Sequence, residues 1–391
     1  MQIIDADAHV IESSQTWAYL DPVYHARRPL PISVPVDTDF KDWNSFWLID
    51  RKVRHFGATP IEGNLMASRK AYSVGCQQLT SVAERIAAMD RMKVARQLVH
   101  PSFALSILSE DADLEAALFQ SYNSFMANAC AQAPGRLYFN AIVPFRQPDV
   151  AVAELRRLSQ LGGMASVLVR GLEWDKPMDH PAHYPIFAEA ERLGLPMVVH
   201  LGLGSPTMFH MFDGLVHPAA EKKTFYPPYS RRLLSTLTVQ YGFFNLMEGS
   251  LLDDFPKLRW AFLEGGGCTW MAAALRTVER GGRKVAHAFA DQRIHVGCEP
   301  DDDISYAVSV IGEDALLVSS DMPHFDEAAH ESIAEEYEQR GDLSEPLLKK
   351  MFSGNAERLF GFTAATAGGS MGSIEILERG GARFASPMRA R

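Results

Sequence analysis

Cysteine is scarce in this chain of 391 residues: Cys76, Cys130, Cys268 and Cys298 are the full set, far apart and without a CxxC pair. That excludes a disulfide framework or a cysteine-built structural zinc site, and it fits the reducing cytoplasm. Basic charge is also short. With 38 Lys and Arg against 48 Asp and Glu the net charge is −10, the wrong sign for a nucleic-acid partner. No apolar run approaches the roughly 20 residues of a membrane span. Asp5 and Asp7 break the first apolar stretch, so a signal peptide is not expected.

What is abundant is a repeat of short apolar runs and longer helical patterns. Hydrophobic residues make up 47% of the chain and charged residues 22%, enough for a sizeable core. Eight runs read as buried strands: QIIDADAH, ARQLVHPS, RLYFNAIVP, MASVLVRG, PMVVHLG, LRWAFLEGG, RIHVGCEP and ALLVSSDMPH. Amphipathic stretches such as VAERIAAMDRMK and PDVAVAELRRLSQLG lie between them. Eight strands alternating with helices predict an α/β fold, a (β/α)8 TIM barrel, and no GxGxxG follows the first strand to favour a doubly wound sheet. The expected organisation is one domain over 1–362 with a tail or arm at 363–391. Two segments fall outside the repeat, 13–75 after strand one and 203–248 after strand five. Both are rich in aromatics, among them Trp17, Trp43, Phe46, Trp47, Phe56, Phe209, Phe212, Phe225 and Tyr226. Long insertions after barrel strands lie over the active-site face and read as lids; a packing or dimer surface is the alternative.

Charged residues close several of the apolar runs. Asp7 and His9 are two apart in strand one and share a side, with Asp5 read as a deeper structural acceptor on that same side. His200 ends strand five, Glu264 strand six and Asp321 strand eight. The carboxyl ends of barrel strands are where catalytic groups collect. Histidines and carboxylates converging there suit a divalent metal, because ion and ligands offset one another's desolvation.

This pattern, Asp7-Ala8-His9, then His200 in VVHLG, then Asp321 in SSDMPH, with FSGNAERLFGF closing the domain, resembles the amidohydrolase-2 branch of the amidohydrolase superfamily. That branch includes aminocarboxymuconate-semialdehyde, resorcylate and carboxyvanillate decarboxylases. The resemblance implies a distorted TIM barrel, Asp7, His9, His200 and Asp321 as metal ligands, and a homodimer. It also carries a departure. Those decarboxylases bear an acid/base histidine at the end of strand six, where this chain has Glu264 in LEGGGCTWM.

With Glu12, one turn past His9, the set becomes four carboxylates and two histidines. A mononuclear site uses about three protein ligands and an open position, whereas this composition is that of carboxylate-bridged di-iron sites. Within the branch the sequence is similar to the non-haem di-iron monooxygenase of platensimycin and platencin biosynthesis. The expectation is therefore two irons held by Asp7, His9, Glu12, His200, Glu264 and Asp321. They would use O2 and an external electron donor to hydroxylate a bulky hydrophobic acid or acyl-CoA. The alternative is one Zn2+ or Mn2+ in a decarboxylase or hydrolase of a small carboxylic acid, with Glu264 or His324 moving the proton.

Other residues carry two readings each. Glu12 is a ligand or a loop cap, and Arg170 a substrate-carboxylate fork or a structural salt bridge. Trp43, Trp47, Phe209 and Phe212 line an apolar substrate pocket or pack the lids. His324 and Asp326 support the site or bind substrate, while His210 and His217 are solvated lid residues or reach a second metal. His100 and Asn140 line the pocket without ligating.

Overall fold

The computed structural model describes residues 1–35, 37, 44–54, 71–208, 228–324 and 329–362, with backbone alone over 228–236. Eight parallel strands make one sheet: β1 (Ile3–Val10), β2 (Val94–Pro101), β3 (Leu137–Ala141), β4 (Met164–Val169), β5 (Met197–His200), β6 (Trp260–Leu263), β7 (Ile294–Cys298) and β8 (Leu316–Val318). All eight fall on the apolar runs read from the sequence, and neighbours in the sheet follow chain order. The helices between them, such as Val82–Arg91, Ala112–Ala131 and Thr269–Arg280, turn apolar faces to the strands and bury Met89, Leu118 and Leu275. The architecture is an α/β TIM barrel.

The barrel closes at the site itself. Ala8 pairs with Met322 beyond β8, the Asp321 N–H donates to the Asp7 carbonyl (2.9 Å), and the His9 N–H donates to the Met322 carbonyl. At the opposite end Leu359, Phe360 and Phe362, in and just after the helix Asn355–Phe360, pack on Ile4, Ala6, Leu98, Val198 and Leu317. That plug closes the amino ends of the strands.

Strand β1 does not alternate regularly. Asp5 pairs with Gln97 and Ala8 with Val99, so three steps on β1 answer two on β2. This bulge separates Asp5 from Asp7, which corrects the expectation that both face inward. Asp5 accepts from Gln97 Nε2 (2.8 Å) and from the Ser320 N–H and hydroxyl, while Arg85 of the flanking helix holds Gln97. Asp5 is the structural acceptor expected of it, on the other side of the strand from Asp7.

The described part of the first insertion forms 3-10 turns at Thr16–Tyr19 and Pro22–Arg27 and a small antiparallel sheet of Leu30–Ser33, Ser45–Ile49 and Lys52–Arg54. Trp47 stacks on Phe103 and meets Trp17 edge-on, with ring centroids 5.6 and 6.1 Å apart. At 1% exposure its ring is enclosed. Among the described residues, no helix is long and apolar enough to cross a membrane.

Candidate metal centre

Asp7 and His9 arrive from β1, His200 from the last position of β5, Glu264 from just beyond β6 and Asp321 from just beyond β8. All but Glu264 are essentially unexposed. Asp7 is the hub: its Oδ1 lies 3.2 Å from His9 Nε2, 3.2 Å from His200 Nε2 and 3.6 Å from His100 Nε2. Asp321 Oδ1 is 3.3 Å from His9 Nε2, and Glu264 Oε2 is 3.5 Å from His200 Nε2. Glu264 and Asp321 both sit in left-handed backbone, at φ 53° and 52°. Such a conformation is costly for residues other than glycine and is concentrated at functional sites.

The donor set suits a divalent ion. One atom each from Asp7, His9 and His200 lies within 4.8 Å of the others, and the same holds for His9, Asp321 and His324. Each of these two histidines has its other nitrogen tied to backbone, His9 Nδ1 to the Pro101 carbonyl (2.8 Å) and His200 Nδ1 to the Leu201 carbonyl (2.9 Å). Donation from Nδ1 fixes the tautomer that presents Nε2 to the cluster, as metal-ligating histidines do. Asp7 Oδ2 and His9 Nε2 are buried without a hydrogen-bond partner among the described residues. Buried polar atoms left in that state are costly, and an ion would satisfy them.

The electrostatics are those of a charged cluster shielded from water. Burial works to raise the Asp7 pKa, but the facing His200 and His100 hold it well below the ordinary range. Burial likewise opposes charge on His200; the Asp7 carboxylate and Glu264 outweigh it and push the pKa up to about 9. His100 stays neutral, brought down to about 3 by burial, and bonds the Ala6 carbonyl (3.0 Å) and Asn140 Nδ2 (2.9 Å). His100 and Asn140 thus form the floor beneath the cluster.

Several sequence expectations meet a different geometry. Glu12 is fully buried, but its carboxylate accepts the backbone N–H groups of Ser102 (3.3 Å), Phe103 (2.8 Å) and Ala104 (3.0 Å). Those bonds make it the cap of the loop after β2, and it does not join the clustered side chains. The Arg170 fork is filled by Glu173, bonded through Nε and Nη2, and Nη1 reaches the Ser106 carbonyl (3.1 Å). This is the structural salt bridge of the two readings. His324 has both nitrogens engaged, Nδ1 with Asp321 Oδ1 (2.7 Å) and Nε2 with Ser102 Oγ (2.8 Å), while its ring stacks on His9 at 4.1 Å. Ser102 was not anticipated; its only signal is a small polar residue directly after the strand end HP. Trp43, Phe56, Phe209, His210, Phe212, His217, Phe225, Tyr226 and Asp326 lie outside the described residues, as does the tail 363–391.

The turn after Glu264 is pinned from behind. Asp302 accepts the Cys268 N–H (2.8 Å), the Glu299 N–H (2.9 Å) and the Thr269 hydroxyl (3.0 Å). Gly267, at φ +70°, passes so close that a Cβ would lie 2.3 Å from Asp302 Oδ1, so glycine is required there. Glu264 is therefore presented by a rigid turn.

The sequence model of the amidohydrolase family matches residues 4–362. The chain belongs to the amidohydrolase family. It is 25% identical over 251 residues to a gamma-resorcylate decarboxylase of Rhizobium sp. strain MTP-10005, covering 61% of this chain and 74% of that one. An amidohydrolase from Mycobacterium avium subsp. paratuberculosis K-10 superposes with a TM-score of 0.73 at 19% identity, over 92% of this chain and 99% of the other. A dihydroxybenzoic acid decarboxylase from Polaromonas sp. JS666, solved with bound manganese, gives a TM-score of 0.62 at 17% identity, over 93% and 98%. The family and the TIM barrel agree with the sequence reading. The decarboxylase relatives overturn the di-iron monooxygenase reading and leave the two irons, O2 and the electron donor without support. The physical error lay in the ligand tally, which counted Glu12 although backbone N–H groups occupy it.

The burial of Glu12 has a consequence for stability. Burial, only partly opposed by the three backbone N–H bonds, pushes its pKa from 4.5 up to about 7. Between those values the folded chain keeps a proton that the unfolded chain has lost, so stability falls as pH rises through this window, by on the order of 3 kcal/mol. Asp5, pushed up to about 6 by burial, adds to the same trend. In urea titrations at pH 5 and pH 8, Glu12→Gln is expected to shrink the stability difference between the two. An unchanged difference would show that Glu12 stays ionised throughout.

Proposed function

We propose that this amidohydrolase-family chain is a metal-dependent decarboxylase of a small hydroxybenzoic acid, with one divalent ion of the Mn2+ or Zn2+ kind held by Asp7, His9, His200 and Asp321. The observation that carries the reading is the cluster itself: two carboxylates and two Nε2-presenting histidines on the open face of the barrel, with a buried unpartnered Asp7 oxygen in its midst. Relatives named as resorcylate and carboxyvanillate decarboxylases support the reaction class.

When bound, the ion supplies positive charge that binds and orients the oxygens of the substrate. The chain's own residues supply the rest. The bond between the ring carbon and the carboxyl carbon breaks, CO2 leaves, and the electron pair stays on the ring carbon. Glu264 delivers a proton to that carbon, which restores the aromatic ring. Its side chain is 13% exposed, so it can be reloaded from solvent. The Asp302-pinned turn holds it in place, and fixed orientation of a proton donor contributes directly to rate. His100, Asn140 and the stacked His324 close the cluster against water from below and from the side.

CO2 release from mono- and dihydroxybenzoates by EDTA-treated protein, before and after Mn2+ addition, tests the reading. Release restored by the metal supports it; no release from any of them with metal bound would reject it. The same protein should bind Mn2+ more tightly as pH rises. The proton that His200 holds up to about 9 must leave before Nε2 can ligate. Apparent affinity is expected to rise about tenfold per pH unit from pH 6.5 toward 9, with about one proton released per ion in calorimetry across buffers of different ionisation enthalpy. Affinity independent of pH over that range would contradict the assignment of His200.

A further inference from the structure

Asp321 leaves β8 in left-handed backbone, so no regular strand geometry aims its carboxylate. A relay of side chains braces it. Asp321 Oδ1 meets His324 Nδ1 at 2.7 Å, and because a carboxylate only accepts, that nitrogen carries the proton and donates. His324 Nε2 then meets Ser102 Oγ at 2.8 Å. The loop carrying Ser102 is fixed by Glu12, whose carboxylate takes the N–H groups of Ser102, Phe103 and Ala104.

Serine, histidine and aspartate in this order have the connectivity of a hydrolase triad. Two facts argue against that use. The backbone N–H groups at Ser102 and Phe103, which would stabilise an oxyanion, are filled by Glu12, and Ser102 is 3% exposed. Orientation is what remains. The His324 ring is clamped on three sides, by Asp321, by Ser102 and by the face of His9.

We propose that Ser102 is a positioning residue for the metal-ligating carboxylate of Asp321, acting through His324, with Glu12 anchoring its loop. The inference rests on the metal assignment made under Proposed function and not on the identity of the substrate. Partners behind a metal ligand typically contribute 10- to 100-fold in metal affinity or activity. Loss of the Ser102 hydroxyl frees His324 to rotate, and Asp321 loses its fixed direction.

The test reads the metal directly. Mn2+ affinity of EDTA-treated protein is measured by calorimetry, and the electron paramagnetic resonance spectrum of the bound ion is recorded. Wild type is compared with Ser102→Ala, Ser102→Thr and Ser102→Val. Ser102→Ala is expected to weaken binding about tenfold or more and to change the spectrum. Ser102→Thr, which keeps the hydroxyl, restores both. Threonine and valine have nearly the same shape, so that pair decides the matter even if the alanine variant folds poorly. Equal affinity and spectra for the two would overturn the proposal, as would wild-type protein that binds no Mn2+. Wild type that binds Mn2+ with the expected dependence on Ser102 but releases no CO2 would leave the positioning role standing and reject the decarboxylase reading alone.

Discussion

Glu264→Gln lowers kcat for CO2 release by about 10²- to 10⁴-fold and leaves Mn2+ affinity within a few-fold of wild type, the range set by loss of a positioned proton donor. The two halves of this result separate roles that the sequence left merged. Glu264 reaches toward His200, at 3.5 Å from Nε2, yet it comes from a turn of its own and keeps a partly exposed side chain. A ligand would lower metal affinity when replaced, whereas a proton donor lowers turnover. Glutamine preserves the shape and removes the transferable proton, so packing is not at issue. Glu264→His is the complementary variant. Histidine is what the family resemblance leads one to expect at this place, and this substitution should retain far more activity than glutamine. Equal loss of affinity and turnover in Glu264→Gln would move Glu264 into the ligand set.

Asp7→Asn is expected to weaken Mn2+ binding by on the order of 10³-fold, the equivalent of the roughly 3–5 kcal/mol that follows removal of one partner from a buried charged pair. Asp7 lies within 3.6 Å of His9, His100 and His200. It also carries much of the upward shift at His200. Asparagine removes that charge and leaves only Glu264 and the Leu201 carbonyl to oppose burial. His200 should then titrate well below about 9, and the pH dependence of metal binding should flatten. Histidine resonances followed by NMR in metal-free protein report the shift. A His200 titration unchanged by Asp7→Asn would place the source of its high pKa elsewhere.

Much of this arrangement is legible in the sequence because burial writes a simple pattern. Each barrel strand is a short apolar run, and a polar residue that closes such a run stands at the open face. Asp7, His9, His200 and Asp321 were found by that rule, and the structure gathers them. Glu12 obeys no comparable rule. Its partners are the N–H groups of a loop about ninety residues away, and no local pattern announces them. Counting it as a ligand made the site look large enough for two metals. Ser102 was overlooked for the same reason, since its significance lies in a contact with His324, 222 positions away in the chain. The bulge in β1 is equally invisible, because strict alternation assigns Asp5 and Asp7 to one side. Arg170 shows the reverse: its partner Glu173 is only three residues on, and the competition between a substrate and a neighbouring carboxylate was already present in the sequence.

The central claim is that this barrel protonates a ring carbon as CO2 departs, using a metal cluster and Glu264. The most direct measurement is turnover of 2,6-dihydroxybenzoate, alongside other hydroxybenzoates, in D2O under argon with Mn2+-loaded protein. The account predicts one CO2 per product and one deuterium at the carbon that bore the carboxylate, with the rate unchanged by admitting air. Absence of CO2 from every hydroxybenzoate tried, or turnover that requires O2, would contradict it.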